Sequence, residues 1–414
     1  MIDYKKYVLD NGLTLLVSEN VNTPLVSVAT LYDVGSRDET PSRTGFAHLF
    51  EHLMFGGTSH VPDYDRVVTD IGGESNAMTN NDFTQYYLTV PARFLETALW
   101  LESDRMRQLD LSARSLAVQQ SVVTEEYNYR YINKPYGDVW LLLRPLCYRE
   151  HPYRWCTIGA DIRHVQEATL VDVEQFFALH YRPDNAILAV AGNVNADEVA
   201  RLVEKWYGDI RPATGRYLRQ LPTEPRQEAA RGQSVRRHVP ADALYMCYHT
   251  TDRLGADFCA TDLVSDLLSN GQSSRLYNEL VKHQKLFSEI DAYITGDRDP
   301  GLFVVSGKLI EGVGFDQAQK AVADELGRLS AETLQDKELE KVVNKYESTF
   351  VYSQYKSLDV AMGLCYYQWL GHLEWINNEP ALYREVSPDD IRRVAAELFR
   401  PGNLSTLRVE KIVD

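Results

Sequence analysis

Two short, mainly apolar and aromatic runs at positions 7–9 and 13–17 flank the turn pair Asn11-Gly12. That pattern predicts a β-hairpin. Positions 25–32 alternate apolar and small residues and predict the next strand. Helical periodicity follows at 43–55 and at 63–71. Residues 72–90 read as two strands joined at Asn80-Asn81-Asp82. Long helical patterns then fill 91–109 and 112–129.

Farther on, the pattern repeats itself. Thr169-Leu170-Val171-Asp172 has the form of a capping-box helix start. Its helix reaches His180 and is followed by Pro183, Asn185 and an apolar strand. Ser387-Pro388-Asp389-Asp390 opens a second such helix, followed by Pro401, Asn403 and another strand. From cap to proline is 14 residues in both places and from cap to asparagine 16, and the two copies are 218 residues apart. The chain therefore reads as an α+β protein of two homologous α/β halves. The halves are placed at 1–210 and 238–414, with the Pro-, Arg- and Gln-rich stretch 211–237 as linker. Positions 243–250 answer 25–32, and Asp262-Leu263-Val264-Ser265-Asp266-Leu267-Leu268 takes the place of the helix at 43–55.

Composition narrows the function. At 414 residues and 44% hydrophobic the chain can build two full cores. A net charge of −16 and a pI near 5.1 argue against nucleic-acid binding, which calls for a basic surface. The five cysteines are odd in number and lack C-x-x-C spacing, which fits buried thiols in a reducing compartment. The first residues, Met1-Ile2-Asp3-Tyr4-Lys5-Lys6, lead straight into a strand pattern with no signal peptide and no membrane-spanning run. A cytoplasmic location is expected, or a periplasmic one if a signal peptide has been removed.

Chemistry concentrates in Gly45-Phe46-Ala47-His48-Leu49-Phe50-Glu51-His52-Leu53-Met54-Phe55-Gly56-Gly57. On a helix, His48, Glu51, His52 and Phe55 fall in one stripe, while Leu49, Leu53 and Met54 fall elsewhere and can pack. Ser42 is the expected N-cap and Gly56-Gly57 the stop. Two neutral imidazoles on one face form half a zinc site, and a carboxylate beside them that is not a ligand can act as a general base.

H-x-x-E-H is the inverted peptidase order, and here the chain resembles the pitrilysin-type, or M16, metallopeptidases. The resemblance implies a LuxS/MPP-like metallohydrolase fold, with an antiparallel-rich sheet packed on helices in each half. It makes 1–210 the zinc-binding catalytic domain and 238–414 a homologous domain without metal. It also implies zinc-dependent hydrolysis of peptides or unfolded polypeptides. Ser121-Val122-Val123-Thr124-Glu125-Glu126-Tyr127 is similar to the family stretch whose glutamate completes the site. That maps the third ligand to Glu126, 74 residues after His52, with Glu125 as the alternative. Glu51 becomes the catalytic base. Gln119 stands where the family often has a supporting glutamate. Gly72-Gly73-Glu74-Ser75-Asn76-Ala77-Met78-Thr79 resembles the family's edge strand beside the metal, so Asn76 and Ala77 are expected to contact a substrate held by β-strand addition. His151, in a His-Pro turn, is not expected to be a ligand.

In the second half Asp262, Ser265 and Asp266 answer His48, Glu51 and His52, so one zinc ion per chain is expected. Gly271-Gln272-Ser273-Ser274-Arg275-Leu276 resembles another family motif. The Arg and Tyr that follow it in the family are here Val281 and Ser288. A homologous partner subunit is expected to supply that pair, in a heterodimer whose zinc-bearing member is this chain. A homodimeric M16 peptidase is the alternative, and a non-catalytic assembly subunit of the same fold a further one.

Overall fold

A computed structural model of the chain describes residues 1–212, 219–332 and 334–412. The described residues form two compact units. The first comprises Met1–Asn128, Trp155–Pro222 and Val351–Asn377; the second comprises Tyr129–Arg154, Thr223–Phe350 and Asn378–Asp414. Each is a mixed sheet flanked by helices, an α+β arrangement.

The first unit has strands β1 (Lys5–Val8), β2 (Thr14–Glu19), β3 (Leu25–Tyr32), β4 (Glu74–Thr79), β5 (Thr84–Pro91) and β6 (Ala186–Gly192). They are ordered β1-β2-β6-β3-β5-β4. The second has β7 (Arg231–Arg237), β8 (Ala243–His249), β9 (Phe287–Ile294), β10 (Leu302–Leu309) and β11 (Leu404–Lys411), ordered β7-β11-β8-β10-β9. Apart from the extra β1, the two orders are the same. In each sheet one pair is parallel, β2 with β6 and β7 with β11, and every other pair is antiparallel.

The repeated spacing corresponds to a repeated device. Thr169 and Ser387 both close capping boxes, on helices Leu170–His180 and Pro388–Leu398. After each helix an asparagine joins its last turn to a neighbouring strand end. Asn185 Nδ2 donates to His180 O at 2.9 Å and to Asp33 O at 3.3 Å. Asn403 Nδ2 donates to Leu398 O and to His249 O, both at 2.9 Å.

Two details differ from the sequence reading. Residues 213–218 of the expected linker 211–237 lie outside the described residues, and its last seven residues are strand β7. As an edge strand with mostly exposed side chains, β7 needs only backbone pairing with β11, so it carries no apolar signature. The units are also interleaved in sequence. Helix Ser357–Leu370 covers one face of the first sheet, with Val360, Ala361, Leu364 and Cys365 against Leu16, Ala29, Leu31 and Ala189. Helix Val139–Cys147 covers one face of the second, against Ala243, Cys247, Val304 and Leu407. Leu244 and Met246 point to the opposite face of β8, into a separate core with Leu263, Val264 and Val322. Burial on both faces makes these strands near-continuous apolar runs.

None of the five cysteines is joined in a disulfide, and four of them are buried. Among the described residues no helix is long and apolar enough to cross a membrane.

Candidate metal centre

The motif helix spans Phe46–Leu53. Phe46, Ala47, Leu49, Phe50 and Leu53 are buried, which turns His48, Glu51 and His52 to the opposite, half-buried side. Its start differs from expectation. The N-cap is Gly45, at φ 86°, and not Ser42. Ser42 is exposed in a turn closed by Arg43 N donating to Thr40 O at 2.9 Å. Capping comes from Glu39, whose two carboxylate oxygens accept from Gly45 N and Ala47 N, both at 2.9 Å. Burial pushes the Glu39 pKa up, while the two amide donors pull it down. Phe55 also departs from the polar stripe. It lies past the helix end and packs edge-on against Tyr64, with ring centroids 5.7 Å apart.

The second helix, Ala113–Tyr127, is capped by Ser112 Oγ, which accepts from Ser115 N at 3.1 Å. Leu116 and Val123 anchor it to the core. Gln120 Nε2 ties it to the following segment by donating to Val165 O at 2.8 Å and Ala168 O at 2.9 Å. This fixes the direction of the next turn, and Glu126 points at the histidines. Glu126 Oε2 lies 3.2 Å from His52 Nε2 and 3.7 Å from His48 Nε2. The two imidazoles meet edge to face, with centroids 4.9 Å apart. All three ligand atoms lie within 4.8 Å of one another, the only such group of His, Cys, Asp and Glu among the described residues. Glu125 is exposed and outside it.

A tetrahedral ion bonded at about 2.0–2.1 Å to N and O donors holds its ligand atoms roughly 3.3 Å apart. The two separations from Glu126 bracket that spacing. The donor set, two imidazoles and one carboxylate, suits zinc and leaves a fourth position for solvent. The three side chains are 12%, 23% and 17% exposed, so the site is lined by protein but open on one side.

Behind the motif helix lies a buried polar cluster. Tyr86 Oη donates to Phe50 O at 3.3 Å and shares a hydrogen bond of 3.1 Å with Tyr181 Oη. Burial holds both phenols above their ordinary pKa, and the Glu51 charge contributes in the same direction. They are therefore neutral hydrogen-bonding groups near neutral pH. Arg105, fully buried, pairs with Glu102 at 2.6 Å and stacks on the rings of Tyr86 and Tyr64. Tyr64 Oη donates to Glu102 at 2.8 Å. The residues of this cluster are scattered along the sequence and share no local pattern, and Glu39 stands in a polar loop with no capping signature of its own.

Beside this helix, β4 is the edge of its sheet. Asn76 is exposed on it, opposite Tyr87, and Ala77 is half-buried opposite Tyr86. Asn76 Oδ1 accepts from Ala77 N at 2.8 Å, so that amide is already engaged. Gln119 is half-buried on the second helix. In the second unit, Asp262 accepts from Tyr383 Oη at 2.7 Å, and burial raises its pKa to about 6. Ser265 Oγ donates to Asp262 O at 2.8 Å, and Asp266 accepts from Asn270 at 2.6 Å. Val281 sits against the core and Ser288 is exposed on β9, so neither place offers a guanidinium or a phenol. His151 is 5% exposed, with Nε2 3.5 Å from Asp299, and is not part of the metal group.

Two family models match the chain. "Insulinase (Peptidase family M16)" covers residues 15–136, which include the whole histidine and glutamate group, and "Peptidase M16 inactive domain" covers 167–346. The chain is 29% identical to the zinc protease PqqE of Helicobacter pylori, over 98% of its own length and 92% of that protein's. It is 26% identical to the uncharacterized zinc protease YmxG of Bacillus subtilis over 84% of each. A solved protease from Helicobacter pylori superposes with a TM-score of 0.94, at 28% identity, over 99% of this chain and 100% of that one. The periplasmic protease PqqL of Escherichia coli shares the fold, with a TM-score of 0.81 at 16% identity. All of this chain is matched there by 48% of the longer one.

Proposed function

The chain belongs to the M16 peptidase family, and from that premise we propose that it is a zinc endopeptidase acting on extended peptides or unfolded polypeptides. The observation that carries this reading is the convergence of His48, His52 and Glu126 to within 4.8 Å, with Glu51 on the same helix between the two histidines. His48, His52 and Glu126 would hold the ion. When bound, zinc supplies a Lewis acid for the scissile carbonyl and lowers the pKa of water. Glu51, three residues after one ligand and one before the other, takes the proton of the attacking water and delivers it to the leaving amine. The free edge of β4 offers backbone groups to an extended peptide, which sets its direction without reading its sequence. Asn76 and the carbonyl of Ala77 align the bond to be cut.

Substrate grip is completed by a homologous partner subunit. Val281 and Ser288, where the family resemblance calls for Arg and Tyr, support this arrangement.

Two measurements test the reading. Purified chain is expected to carry close to one zinc ion, and to lose peptide cleavage on chelation and regain it when zinc is restored. Undiminished cleavage after exhaustive chelation would sink the zinc assignment. Cleavage by the isolated chain is expected to be weak and to rise when a homologous chain carrying the Arg/Tyr pair is added. A full rate from a homodimer alone would overturn the two-subunit arrangement.

A further inference from the structure

The motif helix cannot cap itself. At its N-cap, Gly45 is pressed so close to the segment from Ile158 to Val165 that a Cβ there would lie 2.8 Å from both Ile158 O and Val165 Cγ2. Its φ of 86° also disfavours any residue with a side chain. The usual Ser, Thr, Asp or Asn N-cap is thus excluded at this position. Glu39 does that work from six residues upstream, and it uses both oxygens. Oε2 takes the amide of the N-cap residue and Oε1 the amide two residues on. One acceptor would leave the helix free to turn about a single bond, whereas two acceptors on separate amides fix both its depth and its rotation.

Rotation is what a metal site cannot tolerate. The Cα atoms lie about 2.3 Å from the helix axis and an imidazole Nε2 roughly 6 Å from it. A turn of ~5° then moves Nε2 by ~0.5 Å, against a latitude of ~0.2 Å in metal–ligand bonds. His48 follows Ala47 directly, so an error at the Glu39 contact passes to the ligand undamped.

The loop that carries Glu39 is itself held rigidly. Ser36 N donates to Asn80 O at 3.2 Å and Arg37 N to Asn81 O at 2.9 Å, while Trp155 Nε1 donates to Ser36 O at 2.9 Å. Asp38, next to Glu39, accepts from Arg219 Nε at 2.6 Å. Glu39 therefore presents its carboxylate from a fixed base.

We infer that Glu39 is a positioning residue of the metal centre, setting the rotation of the motif helix so that His48 and His52 meet Glu126. This rests on the zinc reading above.

The test uses the full chain with Glu39→Gln, Glu39→Asp and Glu39→Ala, and Thr169→Ala as a control. The control removes the capping box of a different helix in the same unit and touches no ligand. Zinc affinity is measured by competition with a chromogenic chelator, well below each protein's melting temperature. Glu39→Gln keeps the size but turns an amide N–H₂ toward one backbone N–H. Its zinc affinity is expected to fall about 10–100-fold, the range seen when a group that orients a ligand is lost. Glu39→Ala falls at least as far. Glu39→Asp keeps two acceptors on a shorter stem and loses less. Thr169→Ala lowers the melting temperature and leaves zinc affinity at the wild-type value. If Glu39→Gln does not fold, Glu39→Asp gives the same readout. Wild-type affinity in every folded Glu39 variant overturns the positioning role alone. A wild-type chain that binds no zinc overturns the metal reading on which it rests.

Discussion

Glu51→Gln is expected to lower kcat for peptide cleavage by about 10³–10⁴-fold and to leave zinc content at the wild-type level. The substitution keeps the shape of the side chain and the packing of the helix, since Glu51 lies on its half-buried side. It removes the proton acceptor. General-base catalysis contributes typically 10²–10⁴-fold, and here one group serves twice, for the attacking water and for the leaving amine, which argues for the upper part of that range. The loss corresponds to ~4–5.5 kcal/mol of barrier. Zinc is retained because the ligand atoms come from His48, His52 and Glu126, with Glu51 outside that group. Peptide turnover and zinc analysis on one preparation decide it. Cleavage within tenfold of wild type would remove Glu51 from the role of base, and loss of zinc would make it a ligand.

Glu126→Ala is expected to abolish zinc retention through purification, whereas Glu125→Ala keeps both zinc and activity. Adjacent residues on a helix point about 100° apart, so only one of the two can face the histidines. That residue is Glu126, 3.2 Å from His52 Nε2. Without it two imidazoles remain, and affinity should drop by more than the ~10–100-fold that follows loss of a supporting residue alone. Zinc measured by plasma emission on both variants gives the answer. If Glu125→Ala empties the site and Glu126→Ala does not, the ligand has been assigned to the wrong carboxylate.

How much of this was legible beforehand depends on how far each signal reaches along the chain. Strand β3, both capping boxes and the two helices that bear His48, His52 and Glu126 are written in short stretches, and these elements occur where the pattern puts them. The spacing shared by Thr169–Asn185 and Ser387–Asn403 announced two copies of one unit, because the same hydrogen bonds demand the same residues. What escaped were features fixed by partners distant in sequence. Ser42 has the right chemistry for a cap, yet the chain turns at Thr40–Arg43 and Glu39 takes its place. Arg231–Arg237 looks like a polar linker because an edge strand beside β11 needs no apolar side chains. Phe55 fits the helical stripe, but the helix ends at Leu53 and the ring turns inward. Family resemblance singled out Glu126; the run of residues alone favours neither member of the Glu-Glu pair.

The helix at Ser357–Leu370 has a consequence for how the protein is made. Leu16, Ala29, Leu31 and Ala189, all synthesised early, pack against Val360, Ala361, Leu364 and Cys365, which leave the ribosome more than 160 positions after β6 is complete. At roughly 5–20 residues per second, that greasy surface waits on the order of ten to thirty seconds for its lid. Nascent chains therefore carry an apolar face of the first sheet through a long interval before the helix that packs on it has been made.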